Sequence, residues 1–188
     1  MITAPTSKPP WPRTAPPEHP AGYSGRVTGT DATVERILTS YDTITVVGAS
    51  AAAFKAAHSV PAHMQRYGWR IIPVNLHADQ ILGEQVYRTL GDVPEQVGLV
   101  DVFRPSGQTP DIARQAVAAG ATALWLQLGI ASAEARAIAE DAGLFYVEDR
   151  CLIIEQRRLG LEAPGRLRHR VRGMSLICPG LMEQVRHV

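Results

Sequence analysis

Short, mainly apolar runs alternate, through the middle of the chain, with stretches in which apolar residues return every three or four positions. The runs are Thr43 to Val47, Arg70 to Val74, Leu99 to Phe103, Ala123 to Leu128 and Leu144 to Val147. Each suits a strand buried on both faces. The helical patterns between them cover His58 to Tyr67, Pro110 to Ala119 and Ser132 to Ala142, followed at once by Gly68, Gly120 and Gly143. A glycine there accepts the left-handed conformation that ends a helix. An earlier helix, capped by Thr30 or Asp31, runs to about Ser40 with Val34, Ile37, Leu38 and Tyr41 at helical spacing. Asp149 to Arg158 reads as a last helix, before Gly160, Pro164 and Gly165 interrupt regular structure. Parallel neighbours need crossovers, and crossovers are nearly always right-handed. The pattern therefore predicts an α/β fold: a doubly wound, mostly parallel sheet of Rossmann type, with helices on both faces.

Outside this alternation the chain reads differently. Residues 1–29 are rich in Pro and show neither period, which predicts a flexible arm. The KPPWPR stretch from Lys8 to Arg13 could dock on an aromatic groove, but an unstructured tail is the simpler reading. Residues 160–188 form a basic extension, with RLRHRVR from Arg166 to Arg172 and a short apolar run from Met174 to Cys178. The expected organisation is one domain over residues 30–159 between two extended tails.

A length of 188 residues suits one such domain. The formal net charge of +1 and near-average charged fraction argue against a global affinity for nucleic acid or membranes. Cys151 and Cys178 form no C-x-x-C pair and join no Cys/His cluster, which argues against a zinc site. No segment has the pattern of a signal peptide or the apolar length of a membrane span. The expected compartment is the cytoplasm, with both thiols reduced.

In open α/β sheets, ligands bind beyond the carboxyl ends of the strands, and the loop after the first strand commonly holds a phosphate. Here that loop reads G-x-S-x-x-A at Gly48, Ser50 and Ala53. Gly48 permits a tight turn, and Ser50 offers a hydroxyl and an N–H to a phosphate oxygen. An ordinary βα turn would look the same. The second strand is more discriminating, because NAD-binding domains usually end it with an acid that accepts bonds from the adenosine ribose. This chain has Asn75 there. The ribose diol loses a charged acceptor, and a phosphorylated ribose is no longer repelled. Both NADP and coenzyme A satisfy that condition.

Several phrases together resemble the coenzyme A-binding Rossmann domains related to the N-terminal domain of the succinyl-CoA synthetase alpha subunit. They are VVGAS at Val46 to Ser50, YGWRIIPVN at Tyr67 to Asn75, ILGEQVY at Ile81 to Tyr87, VDVFRP at Val100 to Pro105, GATALWLQLGI at Gly120 to Ile130 and AGLFYVEDRC at Ala142 to Cys151. All follow the family's order over about Ile44 to Leu159. The resemblance implies that Gly48, Ala49 and Ser50 touch a pyrophosphate, that Lys55 and His58 reach a phosphate, and that Asn75 lies near the adenosine. It implies that Phe103 and Arg104 offer an apolar face and a cation, while Gln127, Leu128 and Gly129 line the pantetheine path. Family members often carry Pro and Arg where this chain reads AAAFKAA from Ala51 to Ala57, and Lys55 takes the arginine's place. The synthetase subunit continues into a second domain with a phosphorylated histidine. Nothing after Leu159 has the length or pattern of that domain, so ligase activity does not carry over.

Simpler roles compete for single residues. His58, near a helix start, suits a surface or capping role better than a general base, since no nucleophile accompanies it. Trp125 and Phe103 read as core residues, with ligand contact added for Phe103 alone. Cys151 falls near a predicted helix N-terminus, where a thiolate is favoured, but an inert packed cysteine is the plainer expectation. No Ser/His/Asp set, metal cluster or spaced carboxylate pair can be assembled from the cleft loops. The expected function is a non-catalytic or regulatory module binding coenzyme A or an acyl-CoA. The alternatives are an NAD or NADP-binding redox sensor or oxidoreductase, and an interaction protein that uses Arg166 to Arg172.

Overall fold

The structure is a computed structural model that describes residues 31–164. The Pro-rich arm, the capping role of Thr30, the basic run Arg166 to Arg172 and Cys178 lie outside the described residues.

The chain order is α1 (Asp31–Ser40), β1 (Thr43–Val47), α2 (Ala56–Arg66), β2 (Arg70–Val74), β3 (Gln80–Ile81), β4 (Glu84–Gln85), β5 (Leu99–Val102), α3 (Thr109–Ala118), β6 (Ala123–Leu126), α4 (Ala133–Asp141), β7 (Phe145–Val147) and α5 (Leu152–Leu159). Five strands build one sheet in the order β2-β1-β5-β6-β7, and β3 and β4 pair separately. Every pairing in the large sheet is parallel. The doubly wound reading therefore holds.

Burial on both faces explains why the strands read as mainly apolar runs without a polar face. Side chains alternate across a strand. In β5, Leu99 joins a core with Val34, Ile37, Met64, Trp125 and Leu152, which includes side chains of α1, α2 and α5. Val100 and Val102 join the opposite core with Ile112, Ala116, Ala135 and Ala139 of α3 and α4. Each such aliphatic side chain contributes roughly 1.5–3 kcal/mol by leaving water. Trp69 and Trp125, both fully buried, satisfy their single donors, Trp69 Nε1 donating to the Tyr41 carbonyl (2.8 Å) and Trp125 Nε1 to the Arg150 carbonyl (2.7 Å).

One local reading needs correction, and one motif proves to hold structure of its own. The last helix begins at Leu152, three residues later than the apolar pattern suggested. Asp149 has φ 52, outside the right-handed helical region, and its N–H donates to the Ile130 carbonyl at 3.0 Å. The segment Ile81 to Tyr87, read only as a motif, contains a hairpin that turns at Leu82 and Gly83, with φ 57 and 79. Two-residue strands are too short for periodicity to reveal. Beyond β4 the chain returns along the outer edge of β2. Tyr87 forms a parallel bridge with Val74, its N–H donates to the Pro73 carbonyl (3.0 Å), and its carbonyl accepts from the Asn75 N–H (2.9 Å). Pro73 is tolerated there because β2 is an edge strand of the large sheet.

The strand order places the site. From β1 the chain moves outward to β2 and then crosses to β5 on the other side of β1. Connections leaving β1 and β5 therefore diverge, and a crevice opens beyond their carboxyl ends.

Candidate functional site

Two loops meet at this switch point. β1 and β5 run parallel, Val47 pairs with Val102, and the Phe103 N–H donates to the Val47 carbonyl at 2.9 Å. The next residues, Gly48 and Arg104, therefore lie side by side. Gly48 has φ 86, and a Cβ there would lie 2.7 Å from Cδ of Arg104 and 3.4 Å from the Phe103 carbonyl carbon. Backbone conformation and close approach both demand glycine. Arg104 is exposed, and its Nε donates to Gln108 Oε1 at 2.9 Å. The side chain thus runs across the β1 turn toward the short helical turn Ser106–Gln108.

Beyond Gly48, the β1 loop is held by its own contacts. The Ser50 N–H donates to the Ala57 carbonyl (3.0 Å), its Oγ accepts from the Ala52 N–H (3.1 Å), and its carbonyl faces His58 Nδ1 (2.7 Å). A carbonyl only accepts, so Nδ1 carries a proton and donates it, leaving Nε2 as the ring nitrogen not used in this contact. The Ser50 N–H is therefore occupied, and the hydroxyl hydrogen is the group it can still donate. Lys55 caps α2 with extended backbone, its side chain exposed and bonded to no backbone group of the cap.

Asn75 ties the β2 end to this loop. Its Nδ2 donates to the Ala49 carbonyl (2.8 Å), and its Oδ1 accepts from the N–H groups of His77 (2.7 Å) and Ala78 (3.0 Å). An acid at this position would set an oxygen against the Ala49 carbonyl.

The third group lies beneath and beside the crevice. Gln127 is buried and donates from Nε2 to Oδ1 of the fully buried Asp101 at 2.8 Å, while Asp101 Oδ2 has no hydrogen-bond partner among the described residues. Burial pushes the Asp101 carboxyl up to about 8, against the smaller opposing effects of the Gln127 bond and the Val102 backbone. Leu128 is exposed, and the Gly129 N–H donates to Asp149 Oδ1 at 2.7 Å. Glu148 accepts from the Ser132 N–H (3.1 Å) and the Tyr146 hydroxyl (2.7 Å), and pairs with Arg136. Burial opposes its ionisation, yet these bonds hold the carboxyl below its usual range. The loops after β6 and β7 are thereby braced together.

The sites expected from sequence thus fall into two sets. Gly48, Ala49, Ser50, His58, Asn75, Phe103 and Arg104 are joined by direct contacts or backbone neighbours at the switch point. Leu128 and Gly129 belong to the neighbouring braced loop, and Gln127 faces inward to Asp101. Cys151 caps α5 and packs against the core. Sequence reasoning missed Gln108 and Asp101. An acid inside the apolar run Leu99 to Phe103 was a visible signal for Asp101, while Gln108 carries none. Among the described residues, no three His, Cys, Asp or Glu side chains are grouped to hold a metal ion, and no helix is long and apolar enough to cross a membrane.

Comparison with known proteins identifies the family and its fold. The chain is 32% identical over 121 residues to the uncharacterized protein YneT of Bacillus subtilis, covering 64% of this chain and 90% of that one. A hypothetical protein from Pyrococcus horikoshii shares 33% identity and a TM-score of 0.67, covering 70% of this chain and 93% of the other. An acetyl-coenzyme A synthetase of Candidatus Korarchaeum cryptofilum, in complex with phosphate and ADP, shares the fold at 23% identity and a TM-score of 0.54, over 62% of this chain and 27% of that one. Residues 42–157, from the strand before the Gly48 turn to the last helix, match the CoA binding domain, and the chain belongs to that family.

Proposed function

We propose that this chain is a binding module for coenzyme A or an acyl-CoA, held in the crevice beyond β1, β2 and β5, and that it performs no chemistry of its own. The observation that carries the reading is the close approach of Arg104 to Gly48, which lays an exposed cation across the turn at the carboxyl end of β1, where it can meet a phosphate. Gly48, Ala49, Ser50, Lys55 and His58 would serve the pyrophosphate. Phe103 and the exposed apolar side chains Phe54, Leu76 and Leu128, on loops of the same sheet edge, offer faces for adenine and for the pantetheine arm. Asn75 leaves the β2 end without a carboxylate, which favours a ribose bearing phosphate and disfavours NAD.

Calorimetry of the whole chain with coenzyme A, dephospho-coenzyme A and NAD tests the ligand, and native mass spectrometry identifies any molecule retained on purification. Coenzyme A is expected to bind most tightly. A preference for NAD would overturn the reading in favour of a dinucleotide-dependent redox protein.

A further inference from the structure

We propose that Arg88 is the residue that recognises a phosphate on the adenosine ribose, and that Asp79 is the carboxylate such a phosphate displaces. The inference rests on the coenzyme A reading above and names a specificity determinant within it.

The β3–β4 hairpin carries the chain back to the end of β2, where the pairing of Tyr87 with Pro73, Val74 and Asn75 fixes the position of the next residue. That residue is Arg88. Its Nη1 donates to the carbonyls of Asn75 (3.2 Å) and Ala78 (2.6 Å), and its Nη2 to Asp79 Oδ1 (2.6 Å). A full positive charge is thus held against the residue that replaces the ribose-binding acid of NAD domains. In dinucleotide folds, a cation close to this strand end is what accommodates a ribose phosphate.

Holding and reading are separable here. The two carbonyl bonds orient the guanidinium before any ligand arrives, which lowers the entropy cost of binding. The Asp79 bond is of another kind, because the Arg88 and Asp79 side chains are 45% and 90% exposed. Such a pair contributes about 0–1 kcal/mol. A dianionic phosphate makes stronger, bidentate bonds to the same guanidinium and can take the carboxylate's place.

The test measures affinities of coenzyme A and dephospho-coenzyme A, ligands that differ only in the ribose phosphate, for the full chain and for Arg88→Gln, Arg88→Lys and Asp79→Asn. Arg88→Gln is expected to weaken coenzyme A about tenfold or more and leave dephospho-coenzyme A within about twofold, the loss of one charged hydrogen-bonding group. Arg88→Lys is expected to keep part of the preference. Asp79→Asn removes the competing carboxylate and should strengthen coenzyme A alone; this exposed substitution keeps the test decisive if Arg88→Gln fails to fold. Equal weakening of both ligands in Arg88→Gln, or no gain in Asp79→Asn, would reduce Arg88 to a loop tie and overturn the inference while the coenzyme A reading stands. A wild-type chain that binds neither ligand would overturn both.

Discussion

Arg104 lies across Gly48 so closely that a Cβ on the glycine would come within 2.7 Å of the arginine's Cδ. The contact joins the carboxyl ends of β1 and β5, the two strands between which the sheet order reverses. It makes a glycine and an arginine 56 residues apart (104 − 48) in sequence a single feature.

Gly48→Ala tests that feature from the glycine side. The new methyl would meet Arg104 and force a left-handed backbone on alanine, so stability should fall by about 1–2 kcal/mol. Coenzyme A affinity should fall as well, because Arg104 must move. Urea denaturation and calorimetry on the same preparation separate the two effects, and retained affinity would show that the arginine's position is immaterial.

From the other side, Arg104→Ala should weaken coenzyme A by roughly 1.5–3 kcal/mol, the range for a hydrogen bond to a charged group. The side chain is exposed, so the fold should persist. Gln108→Ala, which frees Nε, should give a smaller loss in the same direction. Unchanged affinity in Arg104→Ala would place the residue outside the site.

Asn75→Asp should cost roughly 1–3 kcal/mol near neutral pH, since the Nδ2 bond to the Ala49 carbonyl is replaced by opposed oxygens. Protonation gives the aspartic acid a donor, so part of the loss should be recovered at acid pH. Thermal melts at two pH values check this. A variant as stable as the parent at pH 7 would show that the loop does not depend on this bond.

Asp101 sets a pH dependence of stability whose sign follows from its raised folded-state value of about 8 against the usual 3.8. Between those values the unfolded chain has lost the proton and the folded chain keeps it. Folding therefore binds a proton, and this group makes stability fall as pH rises from about 4 to about 8 and then level off. Asp101→Asn should flatten that slope, whose total is on the order of a few kcal/mol. Chemical denaturation of both proteins across this range measures it, and parallel curves would sink the assignment.

The alternation of apolar runs with helical spacing was enough to determine the parallel sheet, because strands buried on both faces have no polar side to disguise them. The boundaries of β1 and β2 agree with their apolar runs at both ends, whereas β5 and β6 stop short at Val102 and Leu126. Past those points Phe103 and Leu128 extend the apolar pattern, but the backbone has left the sheet. The phrases around Gly48, Asn75 and Arg104 were equally legible, since glycine, a missing acid and a cation at strand ends are local signals. Their relations were not. That Asn75 braces the Ala49 carbonyl, that Arg104 spans Gly48, and that Arg88 returns beside Asn75 depend on which strands become neighbours and on a hairpin too short to have a period. Local propensity and patterning fix where the chain runs straight and where it turns, but contacts between distant loops arise only once packing has chosen the strand order.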